Sequence, residues 1–304
     1  MLDGVLIVHK PAGVTSHDVV DFARRLLGGV KAGHCGTLDP AATGVLLVCL
    51  GKATRLAEYL MGGRKVYRAR ILLDRRTDTG DLEGEVTGRF EPAGGAPDEA
   101  RIDRALELFR GGLLQRPHRV SAVRVNGKRL YEHARSKSAG GDAPEAKPRP
   151  IVIHRLQRLS FEYPRLELEV ECSAGTYIRQ LAEDLGEALG LGGCLENLVR
   201  TRSGPAVLAD ARTPFELASL AARGAIGDAI VPAKRLLESF GEARVEGAAL
   251  AQVSHGAPLS RADVTDFLEP RDQDLVKLIA AGDALVAIYR LTSTDRLEPC
   301  KVLI

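Results

Sequence analysis

Apolar and polar side chains alternate most regularly between Leu166 and Cys172, where glutamates occupy the three positions between the apolar residues. Successive side chains of a strand point to opposite faces, so this pattern predicts a strand with one buried face and one solvent-facing face. Directly after it, over residues 176–189, apolar residues recur every three or four positions. This spacing predicts a helix with a single apolar stripe.

The same two periodicities predict the other elements. The segment 120–131 carries Asn126-Gly127 between two apolar stretches, 120–125 and 130–131, which predicts a hairpin. Residues 137–150 are rich in Gly, Ala, Pro and charged side chains and are expected to form a flexible loop. Ser16 is expected to cap a helix. Strands are predicted at 4–9, 45–50, 65–73, 85–90, 283–289 and 300–304, and helices at 16–27, 54–61, 98–109, 214–222 and 232–239.

Strands and helices mixed with hairpins indicate an α+β fold, and 304 residues are enough for roughly two domains. We predict one domain over residues 1–240 and a small β-rich module over 243–304. The 45% hydrophobic and 27% charged residues are typical of a soluble globular protein. No apolar segment is long enough to span a bilayer, and no signal peptide is evident. Five scattered cysteines favour reduced thiols in the cytoplasm over a zinc site or disulfides.

Positive charge is concentrated along the chain, although the formal net charge is only +2. Between Arg110 and Arg158, twelve lysines and arginines stand against three acidic residues, which gives this segment a charge of +9. A second basic group lies at residues 64–76. Segregated positive charge is expected of a protein that binds a phosphate backbone, so a nucleic-acid partner is predicted. The alternative for either cluster is a solvated charged face.

Residues 33–44 form a glycine-rich segment that carries a single aspartate, Asp39, directly before Pro40. Proline fixes its own φ and disfavours the helical conformation in the preceding residue, so Asp39 is expected in an extended, stiffened loop. A carboxylate held in this way can act as a nucleophile or a base. The alternative is a turn in which Asp39 hydrogen-bonds to its own backbone.

Arg179 falls in the first turn of the helix predicted at 176–189, where a cation opposes the helix dipole and needs a compensating partner. Glu183, one turn further along, is the local candidate. Asp39 is the functional candidate, because a bidentate pair with arginine would keep the carboxylate ionised and oriented.

Three further side chains have both a structural and a functional interpretation. Tyr67, between basic residues, and Tyr177 can each stack on a base of RNA, or can be ordinary half-buried tyrosines. His34 can insert beside an unstacked base, or can form hydrogen bonds within its loop. One carboxylate, an arginine partner and stacking tyrosines, without a metal cluster or a phosphate loop in the sequence, indicate chemistry on a base taken out of its stack.

At this point the sequence resembles the TruB-type tRNA pseudouridine synthases. The match follows a series of motifs in order from Gly4 to Gly204, of which the segment around Asp39 is the most specific. The motifs include Lys10-Pro11-x-Gly13-x-Thr15-Ser16, Gly33-His34-x-Gly36-x-Leu38-Asp39-Pro40-x-Ala42-Thr43-Gly44, Lys65-x-Tyr67, Thr77-Asp78-Thr79-x-Asp81, Gly175-Thr176-Tyr177-Ile178-Arg179 and Arg200-Thr201-Arg202-Ser203-Gly204.

The resemblance implies that the chain converts uridine 55 in the T-loop of tRNA into pseudouridine, as a monomer and without a cofactor or a metal. Asp39 would be the nucleophile and Arg179 its ion-pair partner. Tyr67 would stack on the flipped uracil and assist the loss of its C5 proton. Four residues would contact the substrate: His34 in the space near the extruded base, Tyr177 and Thr201 in the base pocket, and Lys10.

The resemblance also implies a mixed, mainly antiparallel sheet in the catalytic domain and a small PUA-like RNA-binding domain at the C-terminus. Two alternatives to an independent tRNA-modifying isomerase stay open. One is a non-catalytic protein that binds or folds RNA on the same scaffold. The other is a synthase that works only within a guide-RNA complex.

Overall fold

The computed structural model of the chain describes residues 2–304 except 93, 122, 131, 133–145 and 272–273, and except the side chain of Arg129. Twenty strands are described. They are β1 Gly4–Lys10, β2 Ala32–Cys35, β3 Thr43–Leu50, β4 Lys65–Leu72, β5 Arg75–Thr77, β6 Val86–Arg89, β7 Gly111–Gln115, β8 Arg124–Val125, β9 Lys128–Arg129, β10 Arg149–Glu162, β11 Arg165–Cys172, β12 Cys194–Ser203, β13 Ala206–Val207, β14 Ile230–Val231, β15 Gly241–Arg244, β16 Leu259–Ser260, β17 Thr265–Leu268, β18 Leu275–Ala280, β19 Ala284–Leu291 and β20 Arg296–Val302.

Six α-helices lie within the described part of the chain. None of the described helices is long and apolar enough to cross a membrane. They are α1 Ser16–Leu26, α2 Ala57–Gly62, α3 Glu99–Glu107, α4 Ile178–Ala188, α5 Pro214–Ala222 and α6 Gly247–Ser254.

Two sheets dominate the molecule, and the fold class is α+β as predicted. The larger, ten-stranded sheet runs in the order β14-β1-β3-β12-β4-β11-β10-β7, with β2 paired to β3 and β13 paired to β12. Its neighbours are antiparallel except for β3 and β12, which are parallel. The smaller, six-stranded sheet has the order β16-β20-β19-β18-β15-β17.

The strand with alternating side chains lies inside the larger sheet, between β4 and β10. It spans Arg165–Cys172, and its apolar residues are fully buried while the glutamates face outward. Its buried face packs against α3 and α4 and forms the largest apolar core. A separate core joins the two sheets, with Val5 and Leu47 on one side and Ile288 and Leu303 on the other. Apolar packing therefore crosses the predicted boundary between residues 240 and 243, and the division into two domains stays a prediction.

Most predicted elements lie within a few residues of the observed ones, but three predictions are wrong. Residues 33–35, expected in a loop, belong to β2, because they pair with β3. The helix predicted at 232–239 is only a 3-10 turn over Ala233–Leu236, because Leu236 and Phe240 both turn into the core between the sheets. The loop predicted at 137–150 ends earlier, because Arg149 already pairs in β10, and residues 137–145 lie outside the described part.

Helix α1 begins as predicted, but its cap is Thr15 and not Ser16. The Thr15 hydroxyl accepts a hydrogen bond from the Asp18 amide at 3.1 Å, and the Asp18 carboxylate accepts one from the Thr15 amide at 2.8 Å. This reciprocal capping box satisfies the first free amides of the helix. The side chain of Ser16 is left free to point into the protein, where it is buried.

The predicted hairpin forms, but with short strands. Asn126 and Gly127 both have positive φ, at 51° and 80°, and they connect Arg124–Val125 to Lys128–Arg129. Two successive residues with positive φ match the right-handed twist of the flanking strands. The strand predicted over 120–125 is thus reduced to its last two residues, and Tyr131 lies outside the described part.

Three of the six basic residues within 64–76 pair with glutamates on the outward face of the larger sheet. Arg64 lies 3.7 Å from Glu171, Arg68 lies 3.9 Å from Glu167, and Arg70 lies 3.7 Å from Glu196. Exposed pairs of this kind contribute little stability. The glutamates nevertheless compensate much of the positive charge from which the sequence predicts a nucleic-acid partner. Arg124, Lys128 and Arg149 of the other basic segment are exposed.

Gly44, where β3 meets β12, is predicted to tolerate no side chain. Its φ is +105°, and a Cβ atom would lie 2.2 Å from the carbonyl oxygen of Arg200. We expect Gly44→Ala to lower the free energy of unfolding by at least about 2 kcal/mol, measured by urea denaturation. Gly33→Ala is the matched control, because nothing lies within 4 Å of its Cβ position. Equal urea midpoints for the two variants would contradict this account.

Candidate active site

A cavity of about 370 Å³ opens where β4, β12, the loop after β2 and the start of α4 meet. Four of the seven side chains singled out in the sequence line it, namely Asp39, Tyr67, Tyr177 and Arg179. They come from three separate segments of the chain, the loop after β2, strand β4 and the start of α4, so this cavity is the candidate active site. The other three, Lys10, His34 and Thr201, are not among its lining residues.

Asp39 and Arg179 form the bidentate pair that the sequence suggests. Arg179 Nη2 donates to Asp39 Oδ1 at 3.0 Å, and Arg179 Nε lies 2.9 Å from Asp39 Oδ2. The Asp39 side chain is 37% exposed, whereas the Arg179 side chain is 6% exposed. The buried arginine therefore orients the carboxylate, which stays accessible from the cavity. Glu183, the local alternative, instead lies 3.6 Å from the ring of His118.

Every N–H group of Arg179 faces an acceptor. Besides Asp39, its guanidinium donates to the carbonyl of Thr79 at 2.9 Å and to the carbonyl of Val120 at 2.8 Å, and it lies 3.5 Å from Asp81. The Asp81 carboxylate is itself held by the Thr79 hydroxyl at 2.6 Å. The guanidinium has five N–H groups in a rigid fork, so this set of acceptors fixes its plane as well as its position.

The loop that carries Asp39 is held by its backbone. Lys10 is fully buried, and its ammonium donates to the carbonyls of Pro11, Val14 and Pro40 at 2.6–3.0 Å. All three ammonium hydrogens are thus used within the protein. Lys10 therefore holds the residue next to Asp39, and its predicted contact with the substrate stays a prediction.

Ser16 and Arg200 hold the same loop at two further points. The Ser16 hydroxyl donates to the carbonyl of Leu38 at 3.0 Å and accepts from its amide at 2.9 Å. Arg200, from β12, donates to the carbonyls of Gly36 and Thr37 at 3.0 and 3.3 Å. Backbone groups on both sides of Asp39 therefore have buried partners, and the loop is fixed before any substrate binds.

Tyr67 lies in β4 with its ring buried against the apolar core and one side on the cavity. Burial raises the pKa of its phenol, and the guanidinium of Arg200 partly opposes this change. Lys65, two residues earlier on the same face of the strand, also lines the cavity. Burial lowers the pKa of Lys65 to about 8, so it is still charged at neutral pH.

The remaining predicted site residues have different surroundings. Tyr177 caps α4, and its backbone exchanges two hydrogen bonds with the Gln115 amide side chain, at 2.8 and 3.0 Å. The Thr201 hydroxyl donates to the carbonyl of Val66 at 3.2 Å, at an irregularity where β12 shifts register against β4. The ring of His34 is half-buried, burial lowers its pKa, and its Nδ1 has no hydrogen-bond partner within the described part of the chain.

Sequence reasoning missed four polar residues of the site: Lys65, Asp81, Ser121 and Arg200. Ser121 lines the cavity, and its buried hydroxyl has no hydrogen-bond partner among the residues that the structure describes. All four lie in the motifs that carry the family resemblance, Ser121 in the pair Ser121-Ala122. Their signal was therefore position within a motif, and not residue type. No three His, Cys, Asp or Glu side chains within the described ranges lie close enough together to hold a metal ion.

The protein-family model and the relatives identify the same family of proteins. The model described as TruB family pseudouridylate synthase (N terminal domain) matches residues 24–178, which include Asp39, Tyr67 and most of the cavity wall. A protein of Symbiobacterium thermophilum named tRNA pseudouridine synthase B is 49% identical over 86% of this chain and 84% of its own length. A protein of Bacillus licheniformis with the same name is 38% identical over 100% of this chain and 98% of its own length.

Solved structures agree on the fold. A chain in a Cbf5-Nop10-Gar1 complex superposes with a TM-score of 0.77 and 28% identity, covering 99% of this chain and 85% of that one. A chain of an H/ACA RNP bound to a substrate RNA superposes with a TM-score of 0.75 over the same shares of both chains. By family model, by relatives and by fold, the chain belongs to the TruB family of pseudouridylate synthases.

Proposed function

We propose that the protein isomerises uridine to pseudouridine in tRNA, and that its target is uridine 55 in the T-loop. The names of relatives that are 38% and 49% identical over most of the chain support tRNA as the substrate. The observation that carries the chemistry is Asp39, half-exposed at the cavity and held through both oxygens by a buried arginine. A purely structural ion pair would have no need of an accessible carboxylate.

The reaction moves the ribose from N1 to C5 of the same uracil. The C1′–N1 bond breaks, a C1′–C5 bond forms, C5 loses its proton and N1 gains one. Asp39 attacks an electrophilic carbon of the flipped nucleotide, and Arg179 keeps its carboxylate ionised and aimed. Pairing through two hydrogen bonds also fixes the direction of attack, which favours a single reactive geometry.

The base has to leave its stack before Asp39 can reach it. Tyr67 presents a ring to the cavity on which a uracil can stack, and Tyr177 stands at the cavity wall. Extrusion of a base costs a few kcal/mol. Contacts between the T-arm of the tRNA and the protein, including the exposed basic residues Arg124, Lys128 and Arg149, are proposed to offset this cost.

The two alternatives receive less support. A non-catalytic RNA-binding protein would not require the bidentate pair of Asp39 with Arg179. The chains solved within larger assemblies, a Cbf5-Nop10-Gar1 complex and an H/ACA RNP, are 28% identical, whereas the relatives named for tRNA are more similar. We propose a monomer that acts alone on tRNA in the cytoplasm.

The function is tested by release of tritium from tRNA transcript that carries 5-³H-uridine. Wild type is expected to release tritium from the T-loop position only. Asp39→Asn is expected to lose at least about 10³-fold in rate while its affinity for tRNA is retained. Asp210→Asn, an exposed aspartate outside the site, is the control. Tight tRNA binding without any release by wild type would favour the RNA-binding alternative.

Arg179→Lys is expected to lower kcat on the order of 10²-fold, because lysine cannot offer the two parallel N–H donors that orient Asp39. The measurement is single-turnover conversion at saturating tRNA. Arg68→Lys provides the comparison, since Arg68 is exposed on the outward face and pairs with Glu167 at 3.9 Å. Full activity in Arg179→Lys would remove the orienting role assigned to the arginine.

The pH dependence of kcat is expected to report the buried lysines. Burial lowers the pKa of Lys10 and of Lys65 to about 8, so both are charged at pH 7 and lose protons above pH 8. If the reaction requires one of these lysines to be protonated, kcat is expected to be roughly tenfold lower at pH 9 than at pH 7.

Unfolding would not explain this decrease. Between the folded pKa near 8 and the higher pKa of the unfolded chain, the unfolded state binds more protons. The contribution of these lysines to the free energy of unfolding therefore rises with pH. Urea midpoints measured at the same pH values provide the control. A flat kcat from pH 7 to 9 would show that these protons do not matter for the reaction.

A further inference from the structure

Arg200 occupies the floor of the active-site cavity although the chemistry described above does not use it. It has the largest volume of the fully buried side chains in the described part of the chain, with 1% of its surface exposed. On β12 it is the direct partner of Tyr67 in β4 and of Gly44 in β3. Directly opposed residues of neighbouring strands point to the same face. Arg200 therefore lies beside Tyr67, where the flipped uracil is proposed to stack.

The charge of Arg200 has no anionic partner. Its guanidinium donates to the carbonyls of Val45 at 2.7 Å, Gly36 at 3.0 Å and Thr37 at 3.3 Å. In the described part of the chain, no carboxylate lies within 4 Å of it. Carbonyl dipoles solvate a cation only in part, and burying an unpaired charge is expensive. A hydrogen-bonding neutral side chain could hold the carbonyls at lower cost, so the charge itself needs an explanation.

Lys65 repeats this arrangement on the neighbouring strand. It is 5% exposed, lines the same cavity, and its ammonium donates to the carbonyls of Met61 and Gly63. Among the residues that the structure describes, it too has no carboxylate within 4 Å. Two buried cations without acidic partners thus lie on the side of the cavity that holds Tyr67.

The group of charges around Arg179 has the opposite sign. Arg179 lies between two carboxylates, 2.9 Å from Asp39 and 3.5 Å from Asp81. The three groups together carry one negative charge. The cavity is therefore polar, negative around Asp39 and positive around Arg200 and Lys65.

We propose that Arg200, supported by Lys65, stabilises the negative charge that forms on the uracil when its bond to the ribose breaks. The inference rests on the isomerisation proposed above. When the C1′–N1 bond breaks, its electron pair stays on the uracil as an anion, and the electron-poor C1′ is left towards Asp39. The bond polarises in the same direction as the cavity. Arg200 keeps its proton throughout. The charge leaves the ring when C5 bonds to C1′, and the later loss of the C5 proton is balanced by the proton that N1 gains.

The alternative is that Arg200 only positions the loop through its carbonyl contacts. The two roles differ in how they respond to the leaving group. Fluorine at C5 withdraws electrons and stabilises the uracil anion, so bond breaking depends less on Arg200 if the arginine acts on that charge. A loop that is merely displaced would slow both substrates equally.

The experiment compares single-turnover conversion of tRNA carrying uridine or 5-fluorouridine at the target position. Fluorine takes the place of the C5 proton that has to leave, so the readout is the C1′–C5-linked nucleoside, separated from 5-fluorouridine by chromatography after digestion and identified by its fragmentation in mass spectrometry. Arg200→Gln is expected to slow the uridine substrate on the order of 10²- to 10³-fold and the 5-fluorouridine substrate far less, with tRNA affinity unchanged. Arg200→Lys, which keeps the charge, is expected to recover part of the rate. Arg68→Gln, an exposed arginine on the outward face, is the control.

Equal losses on both substrates, or no recovery with lysine, would overturn the proposal and leave Arg200 as a residue that holds the loop. If circular dichroism shows that Arg200→Gln does not fold, Lys65→Met carries the same comparison, with a smaller expected loss in the same direction. The same experiment measures the conversion of uridine by wild type. If wild type does not convert uridine, the proposed isomerase function is wrong. If wild type is active and Arg200→Gln slows both substrates equally, only the role proposed for Arg200 is wrong.

Discussion

The active site depends on backbone carbonyls that are held by buried cations. Lys10 of β1 binds the carbonyl of Pro40, and Arg200 of β12 binds those of Gly36 and Thr37. A charge removed from water requires such partners, and a carbonyl that loses its donor inside the protein has no replacement. The strands and the loop therefore specify one another, and Asp39 stands between the two points of attachment.

Arginine has two unrelated uses in this molecule. On the outward face of the larger sheet it pairs with glutamates in solvent, where salt screens the interaction. Within the cavity, Arg179 and Arg200 are almost completely buried, so their charges act at short range in a medium of low dielectric. Net charge and basic clusters cannot separate these uses. That is why Arg64, Arg68 and Arg70 contribute to a predicted nucleic-acid site in the sequence, although the structure pairs them with glutamates.

Local signals in the sequence carry much of the fold. The alternation in Arg165–Cys172 and the stripe of Ile178–Ala188 depend on nearest neighbours, and both predictions agree with the structure. β12 was missed because its buried and exposed positions include charged residues and a register shift. The helix cap was predicted one residue too late, at Ser16 and not at Thr15. Both residue types suit the position, and only the buried contact of Ser16 with Leu38 separates them.

The candidate site was predictable in its reactive pair but not in its support. Asp39 and Arg179 are unusual in their local contexts, one beside a proline and one at the positive end of a helix. Lys65 and Arg200 are ordinary in sequence, and their importance arises from strands that meet only after folding. Asp81 is of the same kind, since its partner Arg179 lies on a distant helix. Pairing between distant segments is what a single sequence conceals.

The close approach of Gly44 to β12 has a consequence for recognition. Without a side chain at this position, the end of the loop lies directly against the backbone of Arg200, so the segment around Asp39 has lost its conformational entropy before substrate arrives. Ordering a residue costs about 1–2 kcal/mol, and here that cost falls on folding and not on association. The RNA must then supply most of the rearrangement. Flexibility of the target loop, more than its sequence, would set how readily the enzyme accepts it.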